Sequence, residues 1–179
     1  MTIAASSYIP TSGAADTRAT EVLSFPFTAR PQVMTLYFRF VESGSILSGS
    51  AMICHLGSSS DSATPRLQVY RAGGKYRLEI VGDVTVNSTL ITAPSIGNVV
   101  ELRCVINTTV QIHQSINGAA ETSATASSAQ VLPQTWAGTI LYVGSRAGSI
   151  NIGFNKFLNV CIMRGSQSLT TMRREAGVW

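Results

Sequence analysis

Charge is what this chain of 179 residues has least of. Asp, Glu, Lys and Arg together make 12% of it, about half of the usual share in globular domains. There are three aspartates, Asp16, Asp61 and Asp83, and two lysines, Lys75 and Lys156. Carboxylates this sparse offer no facing pair of the kind that glycoside hydrolysis needs. Glu79 and Glu101 each stand alone beside arginines on alternating residues, which points to cross-strand ion pairs. The net charge of +4 comes mostly from eleven arginines, of which only Arg173 and Arg174 are adjacent. A clustered basic stripe is missing, so no nucleic-acid partner is expected.

Cysteine chemistry is thin as well. Cys54, Cys104 and Cys161 are widely spaced and form no CxxC or Cys/His cluster, which argues against zinc. Each lies in an apolar run, as reduced buried thiols do; their spacing leaves one disulfide among them open. Cys54 and His55 are neighbours and would point to opposite faces of a strand, so they cannot pair as nucleophile and base. His113, between polar neighbours, reads as an exposed strand-face histidine. No apolar run approaches the ~18–20 residues of a membrane span. The amino end has no charged segment followed by an apolar one, so synthesis in a cytoplasm is expected.

What fills the chain is Ser, Thr, Ala, Gly and Val, arranged with a period of two. Met34, Leu36, Phe38 and Phe40 fall on one face of a half-buried strand, with Thr35, Tyr37 and Arg39 on the other. Residues 66–71 and 75–81 flank Ala72-Gly73-Gly74 and form a hairpin. Leu102, Cys104 and Ile106 alternate in one strand, Val110, Ile112, Gln114 and Ile116 in the next. Asn117-Gly118 follows as a turn. Leu158, Val160 and Ile162 share a face of a late strand. One short helix fits residues 166–176, capped by Ser166 or Ser168 and stopped by Gly177. These elements predict an all-β fold, an antiparallel jelly-roll β-sandwich with one short carboxyl-terminal helix. Residues 1–20 form an arm or the first edge strand, and residues 21–179 a single domain. The composition fits both a β domain with hydroxyl-rich faces and a surface partly covered by neighbouring subunits.

The segment Ser7-Tyr8-Ile9-Pro10-Thr11-Ser12-Gly13-Ala14-Ala15-Asp16-Thr17-Arg18-Ala19 resembles the opening of laminin-G-like, concanavalin-A-like jelly-roll domains in bacteriophage virion proteins. Glu101 to Ile106, Val110 to Ile116 and Asn117-Gly118 look like that family's central strand pair. Leu141 to Gly144, Phe154 to Met163 and Ser168 to Met172 look like its closing strands and helix. The chain departs from the family at its carboxyl end, which runs only to Gly177-Val178-Trp179.

The resemblance implies a non-enzymatic virion structural protein on the particle surface, first of all a capsid decoration or cement subunit. The alternative is a tail or fibre adhesin, a glycan-binding receptor module. The expected partners are other virion proteins, major capsid or tail, with further copies of the chain in a homo-oligomer and a host surface glycan under the alternative. The expected location is the virion surface, after assembly in the host cytoplasm. Related jelly-roll glucanases carry Glu-x-Asp-x-x-Glu on one strand, a motif this chain lacks, so no catalytic residue is assigned. Calcium sites in the family use loop Asp and Asn oxygens; here Asp61, among serines 58–62, offers one carboxylate, a weak candidate, and no metal or cofactor is assigned. Tyr70, Tyr76 and Trp136 are the candidate glycan platform. Trp136, Arg173, Arg174 and Trp179 are the candidate assembly contacts, because Trp and Arg are favoured in interfaces.

Overall fold

The computed structural model describes residues 2–4, 23–26, 33–43, 50–57, 66–81, 89–107, 110–125, 140–144 and 156–178. In chain order the elements are β1 (Thr2–Ala4), β2 (Leu23–Pro26), β3 (Met34–Val41), β4 (Ala51–Gly57), β5 (Arg66–Ala72), β6 (Lys75–Val81), β7 (Thr89–Thr92), β8 (Val99–Ile106), β9 (Val110–Ile116), β10 (Thr122–Thr125), β11 (Ile140–Val143), β12 (Lys156–Arg164) and α1 (Leu169–Glu175). The strands make two six-stranded antiparallel sheets, ordered β1-β12-β3-β8-β9-β10 and β2-β11-β4-β5-β6-β7. This is the expected jelly-roll sandwich with one short helix.

Alternation decides what lies between the sheets. Register sets Phe38 against Leu102 and Phe40 against Val100 in the first sheet. In the second it sets Leu67 against Ile80 and Val69 against Leu78. These side chains meet in one core with Met34, Leu36, Leu56, Cys104, Ile112 and Leu141. Burying each large apolar side chain contributes roughly 1.5–3 kcal/mol. The β5–β6 hairpin turns on Gly73 and Gly74 alone, with φ of +56° and +71°, the left-handed pair of a type I′ turn that suits strand twist.

Three sequence expectations change in the folded chain. β3 is not half-buried: Thr35 and Tyr37, on the face away from the core, are as inaccessible as Leu36 and Phe38. Helix α1 lies on that outer face, where Met172 and Ala176 pack against Tyr37 and Cys161. In β12 the register shifts between Phe157 and Asn159. This bulge makes Phe157, rather than Leu158, the residue that faces inward, with its ring 5.6 Å from Phe40 and 6.4 Å from Phe38. The helix is shorter than residues 166–176. Ser168 is its cap, with Oγ accepting from the Thr171 amide at 3.1 Å. At the other end Gly177 has φ +71°. There the amide of Val178 donates to Arg173 O at 2.8 Å and that of Gly177 to Arg174 O at 3.1 Å. These two bonds are the Schellman pattern, which only a residue at ease with positive φ closes cheaply.

All three cysteines are free and buried. Burial pushes the thiol of Cys104 up to about 12 and that of Cys54 well above its ordinary value, and it raises that of Cys161 too.

Candidate functional site

The outer face of the first sheet carries rows of polar side chains fixed by register. One row runs Asn159 (β12), Arg39 (β3), Glu101 (β8) and Ser115 (β9). The next runs Cys161, Tyr37, Arg103, His113 and Ser123. Two polar anchors hold the connection into α1 across this face. Thr35 Oγ1 donates to Gly165 O at 2.8 Å and accepts from the Gln167 amide at 2.9 Å. Arg103 Nη1 donates to Gln167 O at 2.9 Å. The far end of the helix is tied by Asn159 Nδ2, which donates to Ala176 O at 3.0 Å.

Glu101 is the centre of the arrangement. Its carboxylate, 4% exposed, accepts from Tyr37 Oη at 2.5 Å and from Arg173 Nε at 2.9 Å, and again from Arg173 Nη2. Arg173 Nη2 also lies 3.3 Å from Ser115 Oγ. Burial alone would raise the Glu101 carboxyl, but the bonds from Arg173 and Tyr37 outweigh it and hold the group below the usual carboxylate range. In return burial, then Glu101, raises the Tyr37 phenol far above its normal value, and Glu101 raises Arg173. The result is a fork-to-fork ion pair joining α1 to β8.

Beside this pair opens a cleft of about 430 Å³ lined by Arg39, Val99, Glu101, Asn117, Gly118, Arg173 and Val178. Its rim is the turn after β9. Asn117 and Gly118 have φ of +51° and +80°, and Asn117 Oδ1 accepts from the Val99 amide at 2.9 Å while its Nδ2 donates to Asn98 Oδ1 at 2.6 Å. Arg39 stands opposite Glu101 in the register. Both oxygens of that carboxylate are already taken by Tyr37 and Arg173. Arg39 Nη1 makes one long hydrogen bond, 3.5 Å, to Asn159 Oδ1. Among the described residues no carboxylate forms an ion pair with it.

The expected site residues fall elsewhere. Tyr76 does not offer a stacking face: it is fully buried inside the sandwich, edge-on to Phe40 at 5.9 Å, and its hydroxyl donates to buried Glu42. Its position with Leu78 and Ile80 on the inward face explains this. Tyr70 lies on the opposite, outer face of β5–β6, partly covered by Arg77 at 5.7 Å from its ring centroid. Tyr70 and Tyr76 therefore cannot form one platform. Arg173 turns inward to Glu101, while its neighbour Arg174 is exposed and meets Glu175 at 3.1 Å. Asp61, Trp136 and Trp179 lie outside the described residues. Glu101 pairs with the helix rather than with an arginine across the sheet, and Glu79 accepts from Gln68 and, at 3.3 Å, from Tyr70. His113 is part-buried rather than exposed, 4.0 Å from Glu121, which Arg103 holds with two bonds. Among the described residues no three His, Cys, Asp or Glu side chains group to hold a metal ion, and no helix is long and apolar enough to cross a membrane.

The sequence places Arg39 on the outer face of β3 but carries no signal that it lacks a carboxylate partner among the described residues. Arg173, far along the chain, takes the carboxylate that stands opposite Arg39 in the register.

No protein-family model and no curated protein matches the chain. Solved structures do. The chain is similar to the CBM40 domain of the Ruminococcus gnavus IT-sialidase bound to α2,3-sialyllactose, with TM-score 0.56 and 12% identity over 82% of this chain and 83% of that one. It is similar to the LG1–3 region of the laminin α2 chain, with TM-score 0.53 and 12% identity over 80% of this chain and 30% of that one. It is also similar to the receptor-binding domain of botulinum neurotoxin type G, with TM-score 0.53 and 10% identity over 82% of this chain and 38% of that one. The chain thus spans about a third of the laminin and toxin chains and most of the CBM40 domain. At such identities the likeness is one of architecture, and the fold is the laminin-G-like, concanavalin-A-like jelly roll.

Proposed function

We propose that this chain is a non-enzymatic recognition domain on the surface of a bacteriophage particle, and that it binds a glycan of the host through the cleft beside Arg39. The observation that carries the reading is the cleft itself. Its floor is a prearranged ion pair, its rim is an Asn-Gly turn tied by two side-chain hydrogen bonds of Asn117, and its wall holds an arginine with donors to spare. Few converging polar groups in a preformed hollow are what a binding site requires. Hydrolysis has no support there. Glu101 is the one carboxylate lining the cleft among the described residues, and Arg173 and Tyr37 hold it ionised and fully bonded. A general acid would need the opposite environment.

The phage setting rests on the resemblance of residues 7–19 alone. The glycan reading is supported by the cleft and by a similar jelly roll that carries sialyllactose. A glycan array probed with the wild-type chain and with Arg39→Ala tests it. Hits on the wild type that the variant loses uphold it; a blank array at near-physiological salt refutes it.

A second reading, the capsid decoration or cement subunit, has its own observation. Edge strands β7 and β10 close the two sheets. Exposed Leu90 lies on β7, and Ile96, 70% exposed, lies in the turn that follows it. An edge that no further described strand pairs with, flanked by apolar side chains, suits a neighbouring subunit, with Arg174, Trp136 and Trp179 as further contacts. Sedimentation with phage capsids lacking the protein, and separately with host cells, separates the two. Pelleting with capsids alone supports decoration. Pelleting with cells alone, competed by free sugar, supports the adhesin.

A further inference from the structure

We infer that the cleft selects a carboxylate-bearing sugar, and that Arg39 is the residue that receives the carboxylate. The inference deepens the glycan reading and rests on it.

Charge inside the cleft is unbalanced. Among the described lining residues two guanidinium groups, Arg39 and Arg173, face one carboxylate, Glu101, which leaves one positive charge. Geometry says which cation is left over. Arg173 spends its Nε and Nη2 on both oxygens of Glu101. The other arginines of this end of the molecule are matched as well, Arg103 with Glu121 and Arg174 with Glu175. Arg39, opposite Glu101 in the register, holds only the 3.5 Å bond to an uncharged amide.

The lining adds a second reason. Among the described residues it contains no aromatic side chain, only two valines and a glycine besides Asn117 and the three charged residues. A neutral sugar commonly gains affinity by stacking on an aromatic face, and no described lining residue supplies one. What remains is charge-assisted hydrogen bonding, in which a planar guanidinium offers two parallel N–H donors to a carboxylate. The hydroxyls of the ring would then meet Asn117 and the turn at the rim. An acidic sugar satisfies Arg39 and the rim together, whereas a neutral sugar leaves the cation unsatisfied.

The test is an NMR titration of the full chain with methyl β-glucuronide, methyl β-glucoside and sodium acetate, repeated on Arg39→Ala and Arg39→Lys. Lys75→Ala, at the exposed β5–β6 turn of the other sheet, is the control. Expected is glucuronide binding at least about tenfold tighter than glucoside, a preference of ~1.4 kcal/mol. Shifts should centre on Val99, Asn117, Gly118 and Val178. Arg39→Ala abolishes the preference, Arg39→Lys retains part of it, and the control changes nothing. Near-ultraviolet circular dichroism of each variant reports whether the fold is kept. Equal binding of both sugars, unaffected at Arg39, overturns the carboxylate assignment while the glycan reading stands. Acetate binding at Arg39 with no gain from the sugar ring supports the carboxylate site and removes the glycan reading. No binding of any of the three overturns the assignment.

Discussion

Breaking the ion pair between α1 and β8 from its two sides should have unequal costs. The Glu101 side chain is 4% exposed and that of Arg173 is 30% exposed. Removing one member of a buried pair costs about 3–5 kcal/mol, because the remaining charge stays buried without compensation. Arg173→Met keeps the apolar stem but strands Glu101 in the protein, with Tyr37 as its one strong donor. The expected loss is about 3 kcal/mol, the low end of that range, because Arg39 can turn from Asn159 to offer partial rescue. Glu101→Gln keeps an acceptor for Tyr37, and Arg173 can swing toward water, so the expected loss is about 2 kcal/mol. For a domain of this size 1 kcal/mol moves Tm by roughly 2–4 °C, so the melting points should fall by about 6–12 °C and 4–8 °C.

Urea denaturation at pH 7, with the double variant to close a cycle, measures both losses and their coupling. The pH dependence gives a separate reading. A carboxyl held below its ordinary value contributes stability above the unfolded value of 4.5, and this is lost as pH falls through the lower folded one. The wild-type curve should therefore drop more steeply than that of Glu101→Gln below about pH 4.5. A Glu101→Gln loss equal to or larger than that of Arg173→Met would refute the reasoning. So would two losses below about 0.5 kcal/mol, the range of an exposed pair.

Further outcomes follow from the same structure. His113 is held below its ordinary value by burial first and by Arg103 second, against the pull of Glu121; it stays neutral in the fold, so stability should decline as pH drops below about 6.5, and His113→Gln should flatten that stretch of a urea-midpoint curve. The three buried thiols should be inert to Ellman's reagent in the native protein and all react in guanidinium; fast native labelling of Cys54 or Cys104 would contradict their place in the core. Gly74→Ala, at φ +71°, should cost about 1 kcal/mol or somewhat more through backbone strain alone, read as a shifted urea midpoint with an unchanged m-value. Ser168→Ala should lose about 1 kcal/mol with the helix cap, seen as faster hydrogen exchange at Thr171 and Met172.

What the sequence disclosed and what it hid follow one physical line. Alternation in β3, the Gly73-Gly74 turn, the Asn117-Gly118 turn and the Ser168 and Gly177 caps are local, and each was legible because a residue's own conformational preference sets it. The bulge in β12 was hidden, since one unpaired residue shifts the face of everything before it and leaves no mark in composition. Tyr76 misled because a tyrosine suggests surface or edge, and only Glu42, distant in sequence, makes its burial tolerable. The cleft was least legible of all. Its geometry depends on Arg173 reaching Glu101 across 72 positions, so that Arg39 rather than Arg173 is left without a carboxylate partner among the described residues.

Strand order sets a timetable for the newborn chain. β3 lies between β8 and β12, and its first residue, Met34, is paired on one side with Ile106 and on the other with Arg164. While the ribosome is still adding the residues between them, β3 can gain one neighbour only. Its second arrives only once residues 156–164 have been made, followed at once by the helix that covers Tyr37. Contacts this distant are slow to form. Completion of the first sheet, and with it the cleft, therefore waits for residues 156–178 to emerge, and until then β3 presents an unpaired edge with an apolar face that chaperones would shield.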